Sequence, residues 1–510
     1  MRSNRMVLVC AVSIFPIMAF ASFPDTGSVS SAQAAYDGNA LVLTGHVVLD
    51  HGLGKMNAEQ ASLQRQENGK DFPFSMIHLH KDVLLSLKTN AEIRCDSADL
   101  DFTALKGFLS STGTGKVVYT DTLKQKNDTA VFRILSQKVE LGMSKQGHDG
   151  NKTDYEIETI LAKEDVIVDY ANEFTLRADH ALYRKEALPK GKKSSKEFQG
   201  VISAYPKDAK SQCRLTHEGD IIDADSIDLD MPNSKLSMYR PKGFILSSLF
   251  PGLQKGEVQF TCDHLTWQHD KDTLLLKGHV QVNENCLGTL TSDDELFITQ
   301  SIQDGKRTLK SLRAKGKTSL EYKETDDKIR KLNTNGSIRI DQEKLQAFID
   351  SPELQGKVLP EQQLSYEDEQ FTIYSDKANL EYSVVDDALQ PVSITLRGNV
   401  RLLSRDQNKP PRIASADRVN YSPSTQTLIL GANPGKRVLF CDEAQSMRIS
   451  AQEIHVTHNP ETHEESVKGI GNVKFAFTVE ETDILNKIFP SFLLNHQEKM
   501  IHPANEAIQK

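Results

Sequence analysis

The chain reads as an all-β protein built from reused strands. Three observations carry that expectation: a recurring apolar-alternating run with a glycine on its apolar face, a quasi-regular spacing of those runs, and a composition rich in turn and β-branched residues. The clearest runs are Leu41-Val42-Leu43-Thr44-Gly45-His46-Val47-Val48-Leu49, Leu274-Leu275-Leu276-Lys277-Gly278-His279-Val280-Gln281-Val282 and Ile394-Thr395-Leu396-Arg397-Gly398-Asn399-Val400-Arg401-Leu402. Weaker copies surround Gly336 and Gly471. Side chains alternate faces along a strand, so in each run the glycine shares a face with the apolar set. Glycine inside a strand costs stability unless the chain bends or is closely approached there, which a curved, folded sheet requires.

Spacing sets the organisation. Gly278, Gly336, Gly398 and Gly471 recur at roughly sixty- to seventy-residue intervals, while the pattern between Gly45 and Gly278 is degenerate although 160–183 and 221–231 still alternate. Two β-modules follow, 36–235 and 236–480, divided near Met231-Pro232-Asn233-Ser234. Beyond them, 481–510 forms a helical and polar tail: Ile484, Leu485, Ile488 and Phe489 have helical spacing until Pro490, with Phe492, Leu493 and Leu494 following. That tail could cap the sheet, or dock on a partner or membrane surface.

At the other end, Arg2 and Arg5 precede an apolar stretch from Met6 to Phe20, and Ala19-Phe20-Ala21 supplies a cleavage site. Residues 1–21 therefore read as a signal peptide, with Ala32-Gln33-Ala34 as a later site that places cleavage at 34. Cys10 lies in the apolar stretch after Val9, which does not fit a lipoprotein signal. No later run approaches the roughly 18 apolar residues of a spanning helix, so the expected mature protein is exported and soluble. Of 510 residues, 38% are hydrophobic and 26% charged, and the formal net charge is −9, which argues against nucleic acid as a partner.

Enzyme chemistry finds little support. Small-acid pairs recur at Ala58-Glu59, Ala178-Asp179, Ala224-Asp225, Ser292-Asp293, Ser375-Asp376 and Ala416-Asp417, but they are spread along the chain, whereas acid–base catalysis needs a matched pair in one pocket. Acids bonding nearby turn N–H groups explain them better. Gly113-Thr114-Gly115-Lys116 is followed by Val117 where a phosphate loop needs Ser or Thr. His78 with His80, and His455, His458 and His463, lack zinc-ligand spacing. No catalytic residue, metal or cofactor is expected. Cys95, Cys213, Cys262, Cys286 and Cys441 would remain after export, and their pairing is open: Cys262 with Cys286, or isolated buried thiols. Basic residues from Arg184 to Lys196 read as a solvated loop or a contact for lipid phosphates.

The stretch 389–477 resembles the OstA-like family of lipopolysaccharide transport proteins, the periplasmic LptA type. The residues are Ile394 to Val400, then Ala416-Asp417-Arg418-Val419-Asn420-Tyr421, then Thr427-Leu428-Ile429-Leu430-Gly431, then Ile449 to Ile454, then Gly471-Asn472-Val473, with shorter matches at 41–63 and 274–297. The resemblance implies an OstA-like β-jellyroll, a folded-over antiparallel sheet of solenoid-like form whose interior shelters acyl chains. It also implies a periplasmic site of action or one at the outer membrane, sheet-edge pairing with other lipopolysaccharide transport proteins, and end-to-end homo-oligomers. The chain is several times longer than the short bridge protein and lacks the terminal strands of the barrel member.

The lipid-facing set expected on this basis is Leu41, Leu43, Val47, Leu274, Leu276, Val280, Val282, Ile394, Leu396, Val400, Leu402, Val473 and Phe475, with Val392 and Phe477 on the same face. The same pattern would equally fill a closed core, and periodicity alone does not separate the two. The alternative function is a structural or scaffolding β-repeat protein of the cell envelope that binds proteins through strand edges.

Overall fold

The computed structural model describes residues 19–23, 27–64, 74–125, 128–146, 154–171, 173–185, 200–247, 256–284, 288–303, 306–323, 329–385, 388–404, 410–459, 462 and 464–489. Among them lie forty strands, two short 3-10 turns and one α-helix, so the protein is all-β. The strands pair antiparallel, each with strands one to three places away along the chain; Gly200–Tyr205, for example, pairs with Ser226–Asp230, three strands on. Two compact units are present, Met1–Tyr239 and Arg240–Lys510.

In the first unit the strands Ala40–His51, Gly54–Gln64, Met76–Leu87 and Glu92–Asp101 are each interrupted once in their pairing. Gly45 and His46, at φ 77° and 49°, are extruded together opposite the single residue Glu59. Two consecutive left-handed residues turn the strand through a corner, and only glycine occupies the first without steric cost. Further along, Lys81 and Asp82 make the same corner opposite Asp96, and Glu164 and Asp165 make it opposite Asp179. Beyond a corner a strand changes partner. Phe174–Lys185 pairs through 174–177 with Cys213–His217 and through 180–185 with Gly200–Tyr205.

The second unit repeats this scheme. Ala388–Ser404 turns at Gly398 and Asn399, at φ 79° and 46°. Before the corner it pairs with Lys377–Val385, and after it with Phe371–Ser375. Leu396 and Val400, which flank the corner, share one packed cluster with Val419, Leu430, Val438, Phe440, Ile449 and Ile454. Side chains from both arms of the bent strands thus face each other, and the sheet is folded over within the unit.

The helix Val479–Ile488 opens with a capping box. Thr478 accepts from the Glu481 N–H, and the Glu481 carboxylate accepts from the Thr478 N–H. Leu485 and Phe489 pack on Ile413, Leu439 and Cys441, on the outer face of the sheet. With Val438 and Phe440 in the inner cluster and Leu439 and Cys441 beneath the helix, all five residues of Val438–Asp442 are buried. Of the tail expected at 481–510, residues 490–510 lie outside the described residues, as do 1–18 of the expected leader, most of the basic loop (186–196), Cys286 and His463. Ala19–Phe23 pairs with Gly27–Ser31.

Candidate functional site

The glycine runs and the small-acid pairs are two halves of one structural device. At Gly398 the residue that follows, Asn399, donates from Nδ2 to Asp376 at 2.9 Å, and the Asp376 N–H donates to the Gly398 carbonyl at 3.0 Å. At Gly278 the pattern recurs: His279 lies 2.8 Å from Asp263, and the Asp263 N–H bonds the Gly278 carbonyl at 2.9 Å. His46 meets Glu59 at 3.2 Å. Histidine or asparagine follows the glycine because it tolerates the left-handed region and reaches the neighbouring acid. The hydrogen bond to Asp263 raises the His279 pKa above its ordinary value.

The small residue before the acid is buried at the bend, apart from half-buried Ala178, and where it carries a hydroxyl it bonds a nearby carbonyl. Ser375 bonds the Lys377 carbonyl at 3.2 Å, and the Cys262 thiol does the same with His264 at 3.3 Å. Cys95-Asp96 and Cys262-Asp263 are therefore further copies of the small-acid pair, which the sequence hides because cysteine stands in the small position. Burial pushes the Cys95, Cys213 and Cys262 thiols up to about 12, and these with Cys441 are free thiols. These acids sit at separate corners along the chain. Lys116 of the glycine-rich turn is bonded to Asp165, and among the described residues no group of His, Cys, Asp and Glu is placed to hold a metal.

The expected lipid-facing residues fall into three classes. Leu43, Val47, Leu274, Leu276, Val280, Leu396 and Val400 are buried. One register step further from their corners, Leu41, Val282, Ile394 and Leu402 are half-buried. Val473 is half-buried against the second unit's cluster, but Phe475 is 77% exposed and does not belong to the apolar face. The reason is that the last strand, Glu465–Ile470, ends before Gly471; 471–478 touches the sheet through the Ser450–Lys474 bridge and leads into the helix. Val392 is exposed as well, because a bulge between Glu381 and Tyr382 leaves it without a partner and turns it outward.

Two apolar rows run across the second unit. The row beside the corners, Leu396–Val419–Leu430–Ile454, is buried. The next row out, Leu380–Ile394–Tyr421–Leu428–Val456–Val467, crosses six strands in direct register, and each member is half-buried. The apolar face is thus buried beside the corners and partly exposed one step away from them, an apolar wedge in outline. In the first unit the corresponding step outward is more closed: Leu63, Ile77 and Leu100 of one arm and Leu49 and Leu85 of the other are buried, while Leu41 at the end of its row is half-buried.

Compared with protein-family models and with curated proteins, the chain matches none.

Proposed function

We propose that the protein is a non-enzymatic binder of an acylated envelope lipid, lipopolysaccharide in the first instance, that shelters acyl chains in the wedge of its second unit during transport or assembly in the periplasm. The observation that carries this reading is the half-buried row from Leu380 to Val467. Its five strand spacings extend over about 24 Å, longer than the roughly 15 Å of one leaflet's hydrocarbon. Ten methylenes covered by such a face would gain about 8 kcal/mol before ordering costs. The resemblance of 389–477 to the OstA-like family points to the same stretch of chain and supplies the choice of lipid, the periplasmic location and the partner transport proteins.

A second reading has its own observation. Glu465–Ile470 pairs on one side with Glu453–His458, and among the described residues no strand pairs with its other side. Such an edge can accept a partner's strand, as a scaffolding protein or an end-to-end oligomer would require. Native mass spectrometry of the full chain purified from an envelope containing lipopolysaccharide, followed by crosslinking with a photoactivatable lipopolysaccharide, separates the two. Co-purified lipid whose crosslinks vanish in Ile394→Asp and Val456→Asp, but persist in Leu41→Asp of the first unit, supports the wedge. Lipid-free protein without crosslinks refutes it and leaves the edge-pairing scaffold.

A further inference from the structure

On the outer face of the same strands, Lys377, Arg397 and Arg418 stand directly opposite one another on three adjacent strands. Like charges in opposed positions of an antiparallel pair are destabilising, so three in a row need an explanation. All three are exposed. Lys377 is paired with Glu353 at 2.8 Å, Arg418 has only a loose contact with Glu453 at 3.9 Å, and Arg397 makes no ion pair among the described residues. The nearest carboxylates are already engaged in holding corners. Asp376 accepts from Asn399 and from Gln363 at 2.7 Å, and Asp417 accepts from Lys436 and from the Asn433 N–H, both at 2.8 Å. The Arg418 guanidinium lies over Gly431, where an added Cβ would come within 3.1 Å of it.

Two open clefts of about 360 and 460 Å³ flank this row, and Arg397 and Gly398 line both. The first also holds Lys357 and Lys377 with the carboxylates of Glu353 and Asp376, and the second holds Arg418 with Asp417; these acids are the ones already bonded to Lys377, to Asn399 and Gln363, and to Lys436 and Asn433. We infer that the row Lys377–Arg397–Arg418 is a binding site for a phosphate monoester, gripped by the two guanidinium forks with the lysine as a further charge. Arginine suits this role because its planar fork matches phosphate oxygens in pairs. Bound phosphate would neutralise the repulsion that the empty row carries. The chain's net charge of −9 makes general attraction to anions unfavourable, so binding here would have to be local. The site lies on the sheet face opposite the apolar wedge and does not depend on the lipid-sheltering reading.

The test titrates the full chain with inorganic phosphate, followed by calorimetry at low ionic strength, and with phosphatidylcholine vesicles containing phosphatidic acid, followed by sedimentation. Arg397→Gln and Arg418→Gln should each weaken binding by about tenfold or more, while both variants melt no lower than the wild type because a repulsion has been removed. Binding of both probes assigns the site to the phosphate group itself, and binding of the vesicles alone assigns it to a lipid headgroup; either supports the inference. Arg339→Gln, at an exposed cation elsewhere in the unit, should leave binding intact. Absence of binding to both probes, unchanged affinity in folded Arg397→Gln and Arg418→Gln, or an equal loss in Arg339→Gln would overturn it.

Discussion

Replacing Gly398 by alanine tests the corner directly, because the structure separates its two costs. The residue sits at φ 79°, so an alanine there pays the left-handed penalty of about 1 kcal/mol. In addition its Cβ would fall 2.2 Å from the Asp376 carboxylate and 2.8 Å from the Asp376 Cβ. The aspartate must move, and it then loses the hydrogen bonds from Asn399 and Gln363, about 1 kcal/mol each or somewhat more for a charged acceptor. The total is about 3–4 kcal/mol. Gly356 is the matched control: its φ is 75°, and an added Cβ there meets nothing within 4 Å, so alanine should cost only about 1 kcal/mol. Urea unfolding of this unit can be followed by the chain's single tryptophan, Trp267, which is buried in His264–Gln268. The midpoint of Gly398→Ala should fall about 1 M below that of Gly356→Ala. In an Asp376→Ala background the excess should shrink, because the carboxylate contact and its hydrogen bonds are gone, but not vanish, because the Cβ at 376 still lies 2.8 Å from the new one. Equal midpoints for the two glycine variants, or an excess undiminished by removal of the Asp376 carboxylate, would refute the corner account.

Three further outcomes are expected. Burial beside Phe102 and Tyr155 lowers the His51 pKa from 6.5 to about 4, with Lys88 adding to the shift. The unfolded chain binds the extra proton first, so first-unit stability should be steady above about pH 6.5 and fall by about 3 kcal/mol on the way to pH 4. Hydrogen exchange in Ala40–His51 should show this fall in the wild type and its loss in His51→Leu. Cys95, Cys213 and Cys262, with pKa values raised by burial, should react with a thiol reagent at pH 8 only as fast as the protein opens, and promptly in urea; fast labelling of the native chain would contradict their placement. Thr478→Ala removes the helix cap at a cost of about 1 kcal/mol, so labelling of Cys441 beneath the helix should speed up about fivefold while Cys262 stays unchanged.

The strand grammar was legible in the sequence because a side-chain period of two is written directly in residue order. Leu43, Leu276 and Leu396 are buried where alternation places them. The corner was only half legible. Its glycine stood out, and so did its acid, but the bond that joins Asn399 to Asp376 connects residues on different strands and leaves no local trace. Corners without glycine, such as Lys81-Asp82 and Glu164-Asp165, carry no recognisable signal, since any residue pair held by enough surrounding hydrogen bonds can be forced left-handed. That is why the pattern appeared degenerate between Gly45 and Gly278. Val392 and Phe475 are exposed for a different reason: alternation assumes an uninterrupted strand, and one lies in a bulge and the other past Glu465–Ile470, the last described strand.

What separates a closed core from an open wedge is the size of the side chains that meet across the fold, a property that periodicity does not encode. In the first unit, rings fill the interior. His51, Phe102 and Tyr155 pack with centroids 4.1–5.2 Å apart, and Tyr119, Phe132 and Tyr183 meet at 6.1–6.4 Å. Each ring covers 150–250 Å², by a rough general figure, and reaches across to the opposite arm. The inner face of the second unit's later strands is chiefly aliphatic, from Leu380 and Ile394 to Val456 and Val467, and these shorter side chains pack on the buried clusters yet stay half-buried. Aromatic plugs therefore account for closure of the first unit with the same bent strands that leave the second half-open. If that is the cause, exchanging Tyr421 and Val456 for residues of the opposite size should move the wedge mouth in or out without changing the strand pairing, and lipid capture should follow the width of the mouth.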